Sequence, residues 1–188
     1  MILKRPNDEL KANRPTLKEI KNLPKLPIYI LLENIRSVHN VGSVFRTADG
    51  IGAMHLYLTG YTAHPPRNDL GKVSLGAEKS VSWSHNNNSL DAVGKIKNMN
   101  IQLVALEQTH NSISLFEYDW IYPVCFILGN EVKGISEDLL TASDAHVEIP
   151  MHGVKQSLNV SVACGVAGYE IARAYSRKRM INTNRMQV

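Results

Sequence analysis

Short apolar runs punctuate the chain at intervals, and polar or amphipathic stretches fill the gaps. Ile28-Tyr29-Ile30-Leu31-Leu32 is the first run, and its length and continuity predict a strand buried on both faces. His55-Leu56-Tyr57-Leu58-Thr59, Ile101-Gln102-Leu103-Val104-Ala105-Leu106, Pro123-Val124-Cys125-Phe126-Ile127-Leu128 and Ala145-His146-Val147-Glu148-Ile149 predict four more. Between the first two, Val44, Phe45, Ala48 and Ile51 recur at helical spacing. They predict a helix over 41–52 with Asn40 placed to cap it. Thr16-Leu17-Lys18-Glu19 has the capping-box spacing, so a short helix is expected over 17–22. Further helices are predicted over 90–98, after Asn86-Asn87-Asn88-Ser89, and after Ser136 as its cap. A long helix over about 157–177 closes the pattern, with Ala163, Gly165, Ala167 and Gly168 permitting close packing. The stretch 60–76, with Pro65-Pro66 and Gly71, reads as loop. Strands alternating with helices imply an α/β fold: a mostly parallel sheet with helices on both faces.

Length changes the picture little, since 188 residues suit one domain. Charge changes it more. Residues 1–27 carry seven Lys or Arg against three acids, and residues 171–188 carry five and no acid. The whole chain is +4 and its ends +9, so the body between them is −5. We therefore expect a basic N-terminal extension (1–27), a folded domain (28–175) and a basic C-terminal tail (176–188). Basic ends on an acidic body suit a polyanionic partner, although basic termini can also serve solubility alone. No apolar run approaches the ~20 residues of a membrane helix, and the start lacks the pattern of a signal peptide. Cys125 and Cys164 lie in apolar runs and form no C-x-x-C pair, which points to a reduced, cytoplasmic protein.

Ligands of such sheets bind beyond the carboxyl ends of the strands. Three polar, glycine-containing loops follow strands, at 33–42, 129–134 and 150–159, and should converge there. No G-x-G-x-x-G follows the first strand and no G-x-x-x-x-G-K-[ST] occurs, so dinucleotide and P-loop folds are disfavoured. The loops are more specific than that. Asn34-Ile35-Arg36-Ser37-Val38-His39-Asn40-Val41-Gly42-Ser43-Val44-Phe45-Arg46-Thr47-Ala48 resembles the first motif of the SpoU/TrmH branch of SPOUT RNA methyltransferases. Phe126-Ile127-Leu128-Gly129-Asn130-Glu131-Val132-Lys133-Gly134-Ile135 is similar to the second. The stretch from Ile149 through Pro150-Met151-His152-Gly153-Val154-Lys155-Gln156-Ser157-Leu158-Asn159 to Ala163 is similar to the third. The three occur in the family's order and span about four fifths of the chain.

The resemblance implies a C-terminal deep trefoil knot, an exception to the rule that folds are unknotted. It also implies S-adenosylmethionine as cofactor, a homodimer in which both subunits contribute to the site, and transfer to a ribose 2′-oxygen of tRNA or rRNA. With only a short extension before the core, we expect no separate RNA-binding domain there, which puts tRNA slightly ahead of rRNA. In the family the arginine matching Arg46 is proposed to activate the hydroxyl. A guanidinium remains protonated at neutral pH, so positioning of a phosphate or hydroxyl is the safer role; an ordinary surface ion pair is the plain one. Asn40 can cap its helix, hold ribose and Arg46, or do both. Glu131, between Gly129 and Gly134, can orient Arg46, anchor the loops, or stand as an exposed acid. Ser157 and Asn159 fall at the start of the last helix, where free N–H groups meet ligands; a simple cap is the alternative for Ser157. Leu106, Leu128, Gly129, Asn130, Ile149, Met151, Ser157 and Leu158 match the cofactor-binding positions, and 106–109 is a further candidate wall.

The seven histidines show no metal-ligand spacing, so no metal is expected. Ser157 lacks a G-x-S-x-G elbow. Trp83 and Trp120 read as core or interface, and the polar, basic loop 61–68 as a solvated loop or an RNA contact. The competing function is a non-catalytic RNA-binding or ribosome-assembly protein with the same fold. A small-molecule enzyme with a nucleotide cofactor is the third reading, weakened by the missing phosphate loops.

Overall fold

The computed structural model describes residues 4–12 and 14–185. Seven strands form one sheet in the order β3-β2-β1-β6-β4-β7-β5. They are β1 (Leu26–Glu33), β2 (Ala53–Thr59), β3 (Trp83–Asn86), β4 (Gln102–Leu106), β5 (Ile113–Ser114), β6 (Val124–Leu128) and β7 (Ala145–Glu148). Every pairing between them is parallel.

Period-two alternation divides the buried residues between the two faces. Ile28, Ile30 and Leu32 of β1, with Phe126 and Leu128 of β6, belong to one core. Leu31, Cys125 and Ile127 belong to the other. On the first face pack α3 (Val38–Gly50), through Val44, Phe45 and Ala48, and α8 (Val160–Arg185), through Cys164, Ala167 and Ile171. Gly168 matters here, because an added Cβ would stand 3.1 Å from Cδ1 of Ile51, the residue that ends α3. On the second face pack α6 (Ser89–Asn98) and α7 (Glu137–Ala142). The parallel sheet with helices on both faces is thus as the pattern implied.

Several local expectations need correction. The stretch 60–76 is not all loop: Asn68–Ser74 forms α4, with buried Leu70, and the short α5 (Ala77–Ser80) follows it, both packed beside α3. The signal of α4 was hidden by Gly71 and by its brevity. α3 begins at Val38, with Ser37 Oγ accepting the Asn40 N–H at 3.3 Å, so Asn40 is not the cap. α8 begins at Val160, three residues beyond Ser157, and runs to Arg185, since no Gly or Pro interrupts 169–185. Ser136 precedes α7 but does not cap it with its side chain. Its N–H and hydroxyl instead donate to the buried Glu33 carboxylate, at 2.9 and 2.7 Å, tying the end of β1 to the segment after β6. The edge strands β3 and β5 were too short and polar to stand out. Near the N-terminus, α1 (Asn7–Ala12) and α2 (Leu17–Ile20) precede the sheet; at α2 the Thr16–Glu19 capping box forms both bonds. Among the described residues no helix is long and apolar enough to cross a membrane.

Candidate active site

β1, β6, β4 and β7 lie side by side and all end at the same edge. The segments that follow them therefore meet, and between three of these segments lies a cavity of about 380 Å³, a size ordinary for a small-molecule site. The walls have distinct sources. Leu106, Glu107 and Gln108 end or follow β4; Leu128, Gly129, Asn130, Glu131, Val132 and Gly134 follow or end β6; Glu148, Ile149, Met151, Gln156, Ser157, Leu158 and Asn159 follow or end β7. Val160 and Ala163 of α8 close it.

The loop after β6 is shaped by glycine. Asn130 and Gly134 exchange backbone hydrogen bonds at 3.0 and 2.9 Å, closing the loop on itself. A Cβ on Gly129 would stand 2.3 Å from Gly134 C and Ile135 N, so only glycine fits that crossing. Gly134 has φ +70°. Asn130 Oδ1 accepts the Val132 and Lys133 N–H groups at 2.9 and 3.0 Å, while its Nδ2 donates to the Asn34 carbonyl and to Tyr61 Oη, both at 2.7 Å. Glu107 Oε2 accepts the Ile135 N–H at 3.0 Å. Asn130 is buried, and a buried polar side chain outside regular structure must be satisfied in this way.

Glu131 joins this loop to the one after β1. Its carboxylate accepts the Arg36 N–H at 2.9 Å, the Ser37 N–H at 3.1 Å and Asn40 Nδ2 at 2.8 Å. Partial burial pushes this carboxyl up, but the hydrogen bonds from Arg36, Asn40 and Ser37 outweigh it and hold it below the ordinary carboxylate range. Asn40, itself buried, accepts from Asn159 Nδ2 through Oδ1 at 3.0 Å. Asn159 in turn caps α8, its Oδ1 accepting the Ser161 and Val162 N–H groups at 2.9 and 3.4 Å. One chain of hydrogen bonds, Glu131–Asn40–Asn159, thus links all three sequence motifs.

All eight residues assigned to the cofactor from sequence line the cavity, as do Glu131 and Asn159. Asn40 stands behind them. Arg46 does not join them: it lies eight residues into α3, about 12 Å along the helix from its start. There it is exposed, with no hydrogen bond or ion pair to any described residue. Glu131 therefore holds backbone and Asn40, not Arg46. Sequence reasoning missed Glu148 and Gln156 as walls. Strand-end alternation could have found Glu148, but nothing marks Gln156, whose carbonyl is tied to Gln108 Nε2 at 2.6 Å. The lining holds three carboxylates (Glu107, Glu131, Glu148) and no Lys, Arg or His. Such a lining, with Leu106, Leu128, Ile149 and Leu158 as apolar walls, fits a ligand with a flat apolar ring and cationic groups. Among the described residues no cluster of three or more His, Cys, Asp or Glu is placed to hold a metal.

Comparison with known proteins agrees with this geometry. The family model described as the SpoU rRNA Methylase family matches residues 27–169. The chain is 30% identical over 165 residues to the tRNA (guanosine(18)-2′-O)-methyltransferase of Aquifex aeolicus, covering 87% of this chain and 77% of that protein. It is 32% identical to the enzyme of that name from Escherichia coli K12, over 77% of this chain and 62% of the other. Among solved structures, the A. aeolicus TrmH/SpoU tRNA modifying enzyme superposes with a TM-score of 0.78 at 29% identity, over 87% of this chain and 84% of that one. The SpoU methyltransferase AviRb from Streptomyces viridochromogenes, in complex with AdoMet, gives 0.75 at 26%, over 86% and 65%. The chain belongs to the SpoU rRNA methylase family.

Proposed function

We infer that the chain is an S-adenosylmethionine-dependent RNA 2′-O-ribose methyltransferase whose substrate is tRNA. The observation that carries this is the joining of three motif loops, through Glu131, Asn40 and Asn159, around one acidic-and-apolar cavity. Relatives that act on tRNA by name and an AdoMet complex of the same fold support it. S-adenosylmethionine supplies an electrophilic methyl on a sulfonium centre. The chain's own part is to bind and orient. Leu106, Leu128, Ile149 and Leu158 would hold an adenine ring between them, and the backbone groups of Gly129 and Met151 would meet its edge. The carboxylates favour the ligand's positive groups, and Ser157, exposed and without a hydrogen bond among the described residues, is free to meet ligand. Positioning is the main lever here, because a ribose hydroxyl is a weak nucleophile that must be held in line. Glu131, Asn40 and Asn159 act as positioning residues for that edge.

Arg46 is the residue we assign to the RNA, holding the reacting hydroxyl or its flanking phosphate. Its distance from the cavity of its own chain supports a homodimer in which α3 of one subunit faces the site of the other. Exposed Val162 and Tyr169 on α8 leave apolar surface for such a contact. The family's trefoil knot, a cytoplasmic location and the basic ends as RNA contacts belong to the same reading, as does the division at residues 27 and 175.

The test is transfer of labelled methyl from S-adenosylmethionine to unmodified tRNA. Arg46→Ala should abolish transfer while cofactor affinity, read by calorimetry, stays within two-fold. A protein that binds the cofactor but methylates no RNA would favour the non-catalytic reading, and wild-type transfer by the variant would remove Arg46 from the mechanism.

A further inference from the structure

Tyr61 is held in a way its neighbours do not require. The turn after β2 is already fastened to the loop after β1 without the tyrosine side chain. The Ile35 N–H donates to Thr62 Oγ1 at 3.0 Å, the Tyr61 N–H donates to Asn34 Oδ1 at 3.3 Å, and Thr62 is buried. Gly60, with φ +64°, allows the close approach, since a Cβ there would overlap Asn34 Oδ1. The Tyr61 ring itself packs on no other ring among the described residues and is 63% exposed. Yet its hydroxyl is fixed at 2.7 Å by Nδ2 of Asn130, a wall of the cavity. An exposed aromatic ring normally costs solvation and rotamer freedom with little return. Pinned at its tip beside a ligand cavity, it becomes a flat, pre-oriented surface. Arg36 lies on the adjoining loop, two residues after the Asn34 that accepts the Tyr61 N–H: its backbone is bound by Glu131, while its side chain is exposed with no partner among the described residues.

We propose that Tyr61 and Arg36 form a nucleotide subsite at the mouth of the cavity: the Tyr61 ring stacks on an unpaired RNA base and the Arg36 guanidinium meets a phosphate beside it. This rests on the assignment of RNA as substrate. Methylating a ribose requires the nucleotide to be drawn out of a folded RNA, and unstacked bases are characteristically received on aromatic rings and arginine. The Asn130 bond sets the ring's orientation and couples the base-binding surface to the loop that lines the cavity.

The experiment measures the affinity of unmodified tRNA by fluorescence anisotropy, KM and kcat for the same tRNA, and S-adenosylmethionine affinity by calorimetry. Stacking of one base contributes about 1–3 kcal/mol by alanine substitution, or ~5- to 150-fold. Tyr61→Ala should therefore raise Kd and KM for tRNA by at least five-fold, with cofactor affinity within two-fold of wild type. Tyr61→Phe, which keeps the ring, should stay within three-fold in tRNA affinity. Arg36→Ala should weaken binding less at high salt than at low salt. The subsite is overturned if Tyr61→Ala leaves tRNA affinity within two-fold. It is equally overturned if that variant loses cofactor and tRNA affinity by the same factor, or if Tyr61→Phe is as impaired as Tyr61→Ala. Failure of the wild-type protein to methylate that tRNA would overturn the functional assignment and the subsite together, whereas intact transfer with an indifferent Tyr61 removes the subsite alone.

Discussion

Replacing Asn40 by Asp tests the network that joins the motif loops with almost no change of shape. One Asp oxygen can still accept from Asn159 Nδ2, as Asn40 Oδ1 does at 3.0 Å. The other replaces a donor with an anion, 2.8 Å from Glu131 Oε1. At that separation two unit charges repel by ~1.5 kcal/mol in a water-like dielectric and ~6 kcal/mol at an effective value of 20. Glu131 is exposed, so the lower part of that range applies. Loss of the charge-assisted bond adds roughly 1 kcal/mol after allowing for exposure. The expected destabilisation at neutral pH is about 3 kcal/mol, or roughly 6–12 °C in Tm for a chain of this size. The pH dependence is the sharper part. In the wild type the Glu131 carboxyl is depressed, so its contribution is present above the ordinary carboxylate pKa and fades as pH falls through the folded-state value. In Asn40→Asp two carboxyls share one site, so one of them is raised and the variant gains relative stability as pH falls. The stability gap should narrow between pH 7.5 and pH 5, as measured by urea denaturation at each pH. A gap below 0.5 kcal/mol, or one unchanged with pH, would mean that the Glu131–Asn40 contact is not what holds the loops.

Gly129→Ala places a Cβ against the backbone of Gly134 and Ile135, which cannot yield as a side chain would. We expect a cost of about 1–3 kcal/mol and a fall of at least ten-fold in S-adenosylmethionine affinity by calorimetry; affinity within two-fold would show that the crossing does not shape the site. Asn159→Ala removes both the α8 cap and the bond to Asn40, at about 1–2 kcal/mol in chemical denaturation. Combined with Asn40→Ala it should be non-additive by at least 0.5 kcal/mol, and strict additivity would break the proposed chain of hydrogen bonds.

The central strands were legible because burial on both faces writes them as continuous apolar runs, and α3 because its buried residues Val44, Phe45 and Ala48 recur at the helical period. β3 and β5 carry no such signal. They sit at the edges of the sheet, are four and two residues long, and contain no fully buried residue. α4 was lost for a related reason: one buried apolar residue, Leu70, is too little for a period to show. Helix starts were misplaced where more than one capping side chain was available. Ser37 and Asn40 could each cap α3, as Ser157 and Asn159 could each open α8. In both cases the tertiary partner decided, because Glu131 claims Asn40 while Asn159 both reaches Asn40 and caps α8.

The candidate site was legible as a set of residues lining one cavity but not as an arrangement. Motif resemblance assigned Leu106, Leu128, Gly129, Asn130, Ile149, Met151, Ser157 and Leu158 to one ligand, and the strand order brings their loops to one edge. Resemblance could not say which side chain bonds which, since Glu131 had an arginine and a set of backbone amides equally open to it. The fold resolves this through distance along α3. The Arg36 and Ser37 amides and Asn40 precede or open the helix, beside the loop after β6, whereas Arg46 has been carried about 12 Å away by the helix rise. A carboxylate held by two amides and an amide side chain is a structural pin, and it frees the arginine from intramolecular pairing. Arg46, exposed and unpaired among the described residues eight residues into α3, would need to break no bond in its own chain to reach an RNA, as the proposed reading requires.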